Sequence, residues 1–332
     1  MPFTRRAALG TALALPALRR AHAELNEVLI AKQFGTLYLQ QDVMEQHKLI
    51  EKHAARLGLP NLKAQYVRLG GTGPVTEALL AGSLHFASGG APGALLLWDR
   101  TRGAVKSLCA INATNQRLLT VNASIASVKD IGPSERIALP AVRTSPQAVY
   151  LQMAAAKEWG AKEWARLDAQ TISRAHPDSM AQMLARTEVT CHFSTSPFQD
   201  RALAQPGVRE ITSSYAILGV DRSTPTTIYA QSKFRTENPL AYRATLAAFE
   251  EATDWINNYP ADAAALYLQS SGDKDTPAAV EATIRAPGTY FTLQPAQVQR
   301  VAEFMADTGT LKRRPEGIAD LFFPEAAERG GS

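Results

Sequence analysis

Four clusters of small and hydroxyl residues are the first candidates for chemistry: Gly35-Thr36, Ser88-Gly89-Gly90-Ala91, Thr144-Ser145 and Ser194-Thr195-Ser196. Each follows a short apolar run and precedes a segment of helical periodicity, so each belongs where a strand hands over to a helix. A helix N-terminus carries unpaired N–H groups and about half a positive charge, and Gly or Ser leaves those donors approachable. One such turn is only a cap, whereas four at the same end of alternating units make a candidate anion site. Arg143, just before the Thr144-Ser145 cap, either reaches a ligand carboxylate with its bidentate fork or is a solvated surface arginine. Phe34, Tyr38, Trp98 and Phe198 lie near these turns and either pack against an apolar ligand body or belong to the core.

Covalent chemistry finds less support. His192 stands beside Ser194, a pair with the residue types of a general base and a nucleophile, but no Asp or Glu occupies an obvious orienting position. His192 therefore reads as a hydrogen-bonding wall residue. Ser88 to Pro92 lacks the lysine of a phosphate-binding loop, no Gly-x-Gly-x-x-Gly follows the first strand, and no Cys/His cluster has metal-ligand spacing. No catalytic residue, metal or cofactor is expected. Cys109 and Cys191 each lie in an apolar, strand-like stretch and read as two buried free thiols.

The elements that must position these turns alternate along the chain. Val28 to Ala31, Leu62 to Leu69, Leu84 to Ala87, Val105 to Ile111, Leu118 to Asn122, Arg136 to Leu139, Val189 to Phe193, Tyr215 to Val220 and Thr227 to Ala230 read as buried strands. Between them run helices: Gly35-Thr36 to about Leu57, Val75 to Ala81, one after Pro92, Pro146 to Trp159 with Ser145 as N-cap and Gly160 as stop, and His176 to about Arg186. Asn238 to Leu268 reads as one long helix and Pro295 to Thr308 as another. This pattern predicts an α/β fold with parallel sheets covered on both faces, with ligands bound outside the carboxyl ends of the strands.

Composition limits the partners. The chain has 332 residues, enough for two lobes, and 35 Lys+Arg against 31 Asp+Glu. Four of those arginines, Arg5, Arg6, Arg19 and Arg20, fall in the first 23 residues, which hold no carboxylate, so the remainder is balanced in charge. A neutral protein has no electrostatic footprint for phosphate backbones, which argues against nucleic acid. Thr4-Arg5-Arg6, the apolar run Ala7 to Leu18 and the small residues Ala21-His22-Ala23 predict an export signal over 1–23, cleaved after Ala23. The paired arginines resemble a twin-arginine signal. The apolar run is too short to span a bilayer and no cysteine follows it, so no membrane anchor is expected.

In order along the chain, Leu79-Leu80-Ala81-Gly82-Ser83-Leu84-His85-Phe86, Gly89-Gly90-Ala91-Pro92 and Ser127-Val128-Lys129-Asp130-Ile131 resemble the substrate-binding proteins of nitrate/sulfonate/taurine-type ABC importers. His176-Pro177-Asp178, Val189 to Phe193, Ser196-Pro197-Phe198-Gln199 and Lys233 to Pro239 look similar to a recurring subgroup of that family, and the likeness spans Val28 to Pro324. The resemblance implies a periplasmic binding protein of type II: two α/β lobes joined by two hinge strands with the ligand cleft between. Lobe one would comprise 24–116 plus 222–332 and lobe two 117–221, with hinges near Asn115 to Thr120 and Ser214 to Ser223. The ligand, a small organic anion, would be held by Phe34, Gly35, Thr36, Gly89, Gly90, Ala91, Arg143, Thr144, Ser145, Gln147, His192, Ser194 and Ser196. The implied protein is a non-enzymatic periplasmic monomer that delivers its ligand to ABC permease transmembrane subunits and their ATPase.

Two departures qualify the likeness. His85 stands where the family commonly has Asp, and Ser194-Thr195-Ser196-Pro197-Phe198 replaces a Trp-Asp-Pro segment that would supply an amine-binding carboxylate, so taurine itself is in doubt. The alternative is a thiamine-pyrimidine-related binding protein or enzyme of the same architecture. Such an enzyme needs a cleft lysine, and Lys32 is the only one near a predicted mouth.

Overall fold

The computed structural model describes residues 24–33, 35–68 and 72–332. The predicted signal segment and Phe34 lie outside the described residues.

The chain opens with β1 (Glu27–Ala31), a 3-10 turn at Thr36–Tyr38, α1 (Leu39–Gln46), α2 (Leu49–Arg56), β2 (Lys63–Val67), α3 (Thr72–Ala81), β3 (Phe86–Gly90), α4 (Ala91–Arg100) and β4 (Val105–Ala110). It continues through β5 (Asn112–Thr114), β6 (Arg117–Thr120), β7 (Ile137–Leu139), α5 (Pro146–Trp159), β8 (Thr171–Ser173), α6 (His176–Leu184), β9 (Cys191–Phe193), α7 (Phe198–Leu203), β10 (Arg209–Ser213) and α8 (Ser214–Leu218). The remainder is β11 (Thr226–Gln231), α9 (Ser232–Glu237), α10 (Pro239–Asn258), α11 (Pro260–Ser271), α12 (Pro277–Ile284), β12 (Thr289–Phe291), α13 (Val298–Asp307), α14 (Ile318–Leu321) and α15 (Pro324–Ala327).

Two five-stranded sheets organise these elements. One has the order β2-β1-β3-β11-β4 and the other β10-β6-β9-β7-β8; β5 and β12 form a separate two-stranded ribbon. The sheets are mixed, which corrects the expectation of parallel sheets. β11 runs antiparallel to both β3 and β4, and β6 runs antiparallel to both β9 and β10. The odd strands are those reached by the chain as it passes from one sheet to the other, so they enter from the opposite end. Apolar clusters cover both faces: Val28, Ile30 and Phe86 pack under α1, α2 and α10 on one side of the first sheet, and Ala31, Ala87 and Val105 under α3 and α4 on the other.

Three element expectations are corrected. Tyr215 to Val220 is not a strand, because Ser213 caps a helical turn through its side chain and Gly219, at φ 67°, closes it. The long first helix breaks at Lys48, which takes a left-handed conformation. Asn238 to Leu268 is two helices, since Pro260 cannot continue the first and starts the second. The α5 expectation holds in detail: Ser145 caps it by accepting from the Ala148 N–H at 3.3 Å, and Gly160 ends it with φ 102°. Cys109 and Cys191 are free and buried, and burial pushes the Cys191 thiol up to about 11.

Candidate functional site

Three of the four turns that the sequence singles out contribute to a cavity of about 450 Å³ between the two sheets. From the first sheet side, Ser88, Gly89 and Gly90 end β3 and lead into α4, whose Gly93 also faces the cavity; Thr226 and Tyr229 of β11 stand beside them. From the second, Thr144, Ser145 and Gln147 open α5, and His176 and Pro177 open α6. Gln116, between β5 and β6, and Thr195, after β9, close the floor, while Leu37, Tyr38 and Val75 supply apolar wall.

Glycine is required where the two halves meet. A Cβ on Gly90 would lie 2.6 Å from Pro146 Cδ, so only a bare backbone lets the starts of α4 and α5 approach this closely. Within the first sheet, a Cβ on Gly89 would lie 3.1 Å from the Tyr229 hydroxyl, close enough that the ring would have to give by a few tenths of an ångström.

Of the expected ligand-binding residues, Gly89, Gly90, Thr144, Ser145 and Gln147 line the cavity. Gly35, Thr36 and Ser196 instead hold the halves together, with Thr36 Oγ1 donating to Ser196 O at 3.2 Å. Ala91 and Ser194 are buried behind the lining. Arg143 is turned away: its side chain is 77% exposed and its nearest anionic partner is Asp168, 4.0 Å off. His192 lies beneath the surface of the site, its Nε2 2.9 Å from His176 Nδ1, and His176 Nε2 is 3.5 Å from Gln147 Nε2. Of the four candidate aromatics, Tyr38 faces the cavity, Trp98 is core under the Arg313 guanidinium, and Phe198 stacks on His176 at 5.8 Å.

Ser88 and Thr195 belong to turns that the sequence singles out, whereas Gln116, Tyr229 and His176 were not expected as lining residues. His176 was within reach, as the first residue of a Pro-started helix at a strand's carboxyl end. Gln116 carries no local signal, because its place depends on where the chain passes between the sheets.

The electrostatics of the cavity are distinctive. Among the described residues, no Asp, Glu, Lys or Arg lines it. Burial pushes His176 down to about 4, and burial together with the neighbouring His176 holds His192 well below the ordinary imidazole range. Both rings are neutral at pH 7. Burial also raises the Tyr38 phenol to about 12 against the opposing effect of its hydrogen bond with Thr226. Four oxygens of lining residues, Ser88 Oγ, Gln116 Oε1, Gln147 Oε1 and Thr195 Oγ1, are buried without a partner. Their residues are only 1–3% exposed, so each oxygen sits within the packed wall.

Three helix N-termini point at this space, but they are poor in donors. Of the nine N–H positions in the first turns of α4, α5 and α6, five are absent or spent: Pro92, Pro146 and Pro177 have none, Ala91 donates to Pro225 O and Ala148 to Ser145 Oγ.

No family model matches the chain, and no curated protein matches it in sequence. Solved structures do match. The alkanesulfonate-binding protein SsuA from Xanthomonas axonopodis pv. citri, determined bound to MOPS, superposes with a TM-score of 0.71 at 18% identity, over 91% of this chain and 99% of its own. The periplasmic aliphatic sulphonate-binding protein SsuA from Escherichia coli gives 0.67 at 18% identity, over 91% and 99%. A Candida albicans gene product described as having the generic periplasmic binding protein fold gives 0.61 at 10% identity, over 93% and 96%. The chain has the periplasmic binding protein fold.

Proposed function

We propose that this chain is the solute-binding component of an ABC importer, holding a small organic molecule between two lobes and presenting the closed form to a membrane permease. The observation that carries the reading is the cavity itself. It is a half-open space of about 450 Å³ at the carboxyl ends of β3, β7 and β9, with four buried polar atoms left unpartnered on residues of its wall. Its volume is that of about fifteen waters, too large for an ion as small as nitrate to fill. Neighbours of the same fold that bind sulfonates add weight to the importer role.

The lobes are proposed as 24–116 plus 222–332 and 117–221. In support, the first sheet draws its strands from Glu27–Ala110 and Thr226–Gln231 while the second draws all of its own from Arg117–Ser213. The chain passes between the sheets at 111–116 and 214–225, which supports hinges near Asn115 to Thr120 and Ser214 to Ser223. A twin-arginine-like signal over 1–23 would deliver the protein to a periplasm as an unanchored monomer.

A lysine-dependent enzyme of this architecture is disfavoured by Lys32. It is buried against Asp42 at 2.8 Å and also pairs with Glu45, in a separate pocket with Arg68 and Tyr66. A ligand with an anionic head group is the second reading, favoured by the three helix N-termini and by a lining without carboxylates.

The test is a thermal-shift screen of residues 24–332 against sulfonates, carboxylates, nitrate and uncharged amides and pyrimidines. Binding to the native state raises the melting temperature by mass action. A saturable shift strongly weakened by Gly90→Val supports the receptor reading. A catalytic turnover of any of these compounds, or a shift indifferent to Gly90→Val, overturns it.

A further inference from the structure

We infer that the cavity is built for an uncharged ligand rich in N–H or O–H donors, read by the side-chain amides of Gln116 and Gln147. This rests on the cavity being the ligand site. The first ground is the missing counter-charge: among the described residues no ionised side chain lines the space, and the one expected, Arg143, faces solvent. An anion moved there from water would lose its hydration and gain no cation in return. The helix ends do not replace one, since five of their nine first-turn donors are missing or committed elsewhere.

The second ground is what the wall lacks. Gln116 Oε1 and Gln147 Oε1 are acceptors without donors, on residues 1% and 3% exposed. Turning either amide end for end changes which atom is unmet, never the number, because Gln147 faces His176 at 3.5 Å through one end only and Gln116 has no side-chain partner. A primary amide edge is matched by a group that both donates and accepts: a carboxamide, a lactam, a urea or a hydroxyl. Ser88 Oγ and Thr195 Oγ1, also unpartnered, either donate or accept as such a ligand requires. A carboxylate or sulfonate offers acceptors only and would leave the glutamine oxygens orphaned, which is costly for a buried group.

The experiment uses matched pairs, in which each uncharged carboxamide, lactam or urea is set against its carboxylate or sulfonate counterpart: benzamide with benzoate and benzenesulfonate, nicotinamide with nicotinate. Binding to residues 24–332 is measured at pH 7 by calorimetry and thermal shift. The uncharged member of each pair should bind at least tenfold tighter, and Gln116→Met should erase about tenfold of that preference. If Gln116→Met does not fold, as judged by its melting curve, Gln147→Met serves. Tighter binding of the anions, or amide affinity unchanged in both variants, overturns the inference and leaves the receptor reading standing. Binding by neither class overturns both.

Discussion

At the scale of single residues, the neutral histidine pair makes a prediction with a definite sign. In the unfolded chain His176 takes up a proton near pH 6.5, whereas burial holds its folded value at about 4. Between those values the unfolded state binds more protons, so stability is full above about pH 6.5 and falls as pH drops towards 4. The loss should approach about 3 kcal/mol, and chemical denaturation at pH 7, 5.5 and 4 will show it as a falling midpoint. His176→Phe should flatten that decline; an equally steep decline in the variant would place the titration elsewhere. This pair also marks a limit of legibility. His192 was expected in the wall but lies behind His176, its partner 16 positions away, and nothing local in the sequence announces that α6 sets His176 above it. Arg143 shows the converse: a residue type suited to an anion stood at a promising turn, and a left-handed backbone with φ 64° turned it to solvent.

At the scale of elements, the turns carry most of what the sequence disclosed. Ser145-Pro146 with Gly160 defined α5 at both ends, because capping is a local matter of one side chain and one backbone conformation. Ser145→Ala should cost about 1 kcal/mol by leaving the Ala148 N–H without its acceptor, measurable as a lower denaturation midpoint. Tyr215 to Val220 was misread for the opposite reason. A short apolar run fits a buried strand and a buried helical turn equally, and only the flanking Ser213 and Gly219 decide. One contact between the starts of α4 and α5 admits no side chain. Gly90→Val would drive a side chain into Pro146, where a Cβ already falls 2.6 Å from Cδ, and overpacking of this kind costs about 1–3 kcal/mol. Because the clash forms between the two halves, ligand affinity should fall about tenfold to a hundredfold while either half keeps its fold. Calorimetry on the variant checks this; a loss of near-ultraviolet circular dichroism instead would mean that the contact is needed for folding.

At the scale of the whole molecule, strand direction was the part that the sequence concealed. Periodicity reports burial, and β11 is as apolar as a parallel strand because it is buried inside its sheet between β3 and β4. Its antiparallel course follows from the chain returning from the second sheet, a long-range fact. The same return brings α7 against the α11–α12 link, where Arg201 bonds Asp275 at 2.6 Å and Asp273 at 2.5 Å, and Thr283 Oγ1 reaches Asp200 Oδ2 at 3.3 Å. These pairs join the proposed lobes outside the cavity, so they should act on closure and not on ligand contacts. The apolar cluster that includes Leu95 and Trp98 of α4, Val149 of α5 and Val301 of α13 is continuous across the same boundary, which makes a pivot about it cheaper than separation. Ligand addition should therefore reduce the radius of gyration in small-angle scattering, and Arg201→Met should enlarge the ligand-free value while lowering affinity only a few-fold, as a partly exposed ion pair is worth about 1 kcal/mol. Salt at 1 M should reproduce the variant's effect in the native protein by screening the same pair. A radius unchanged by ligand, by Arg201→Met and by salt would mean that the two halves form one rigid body and that the cavity fills without a hinge.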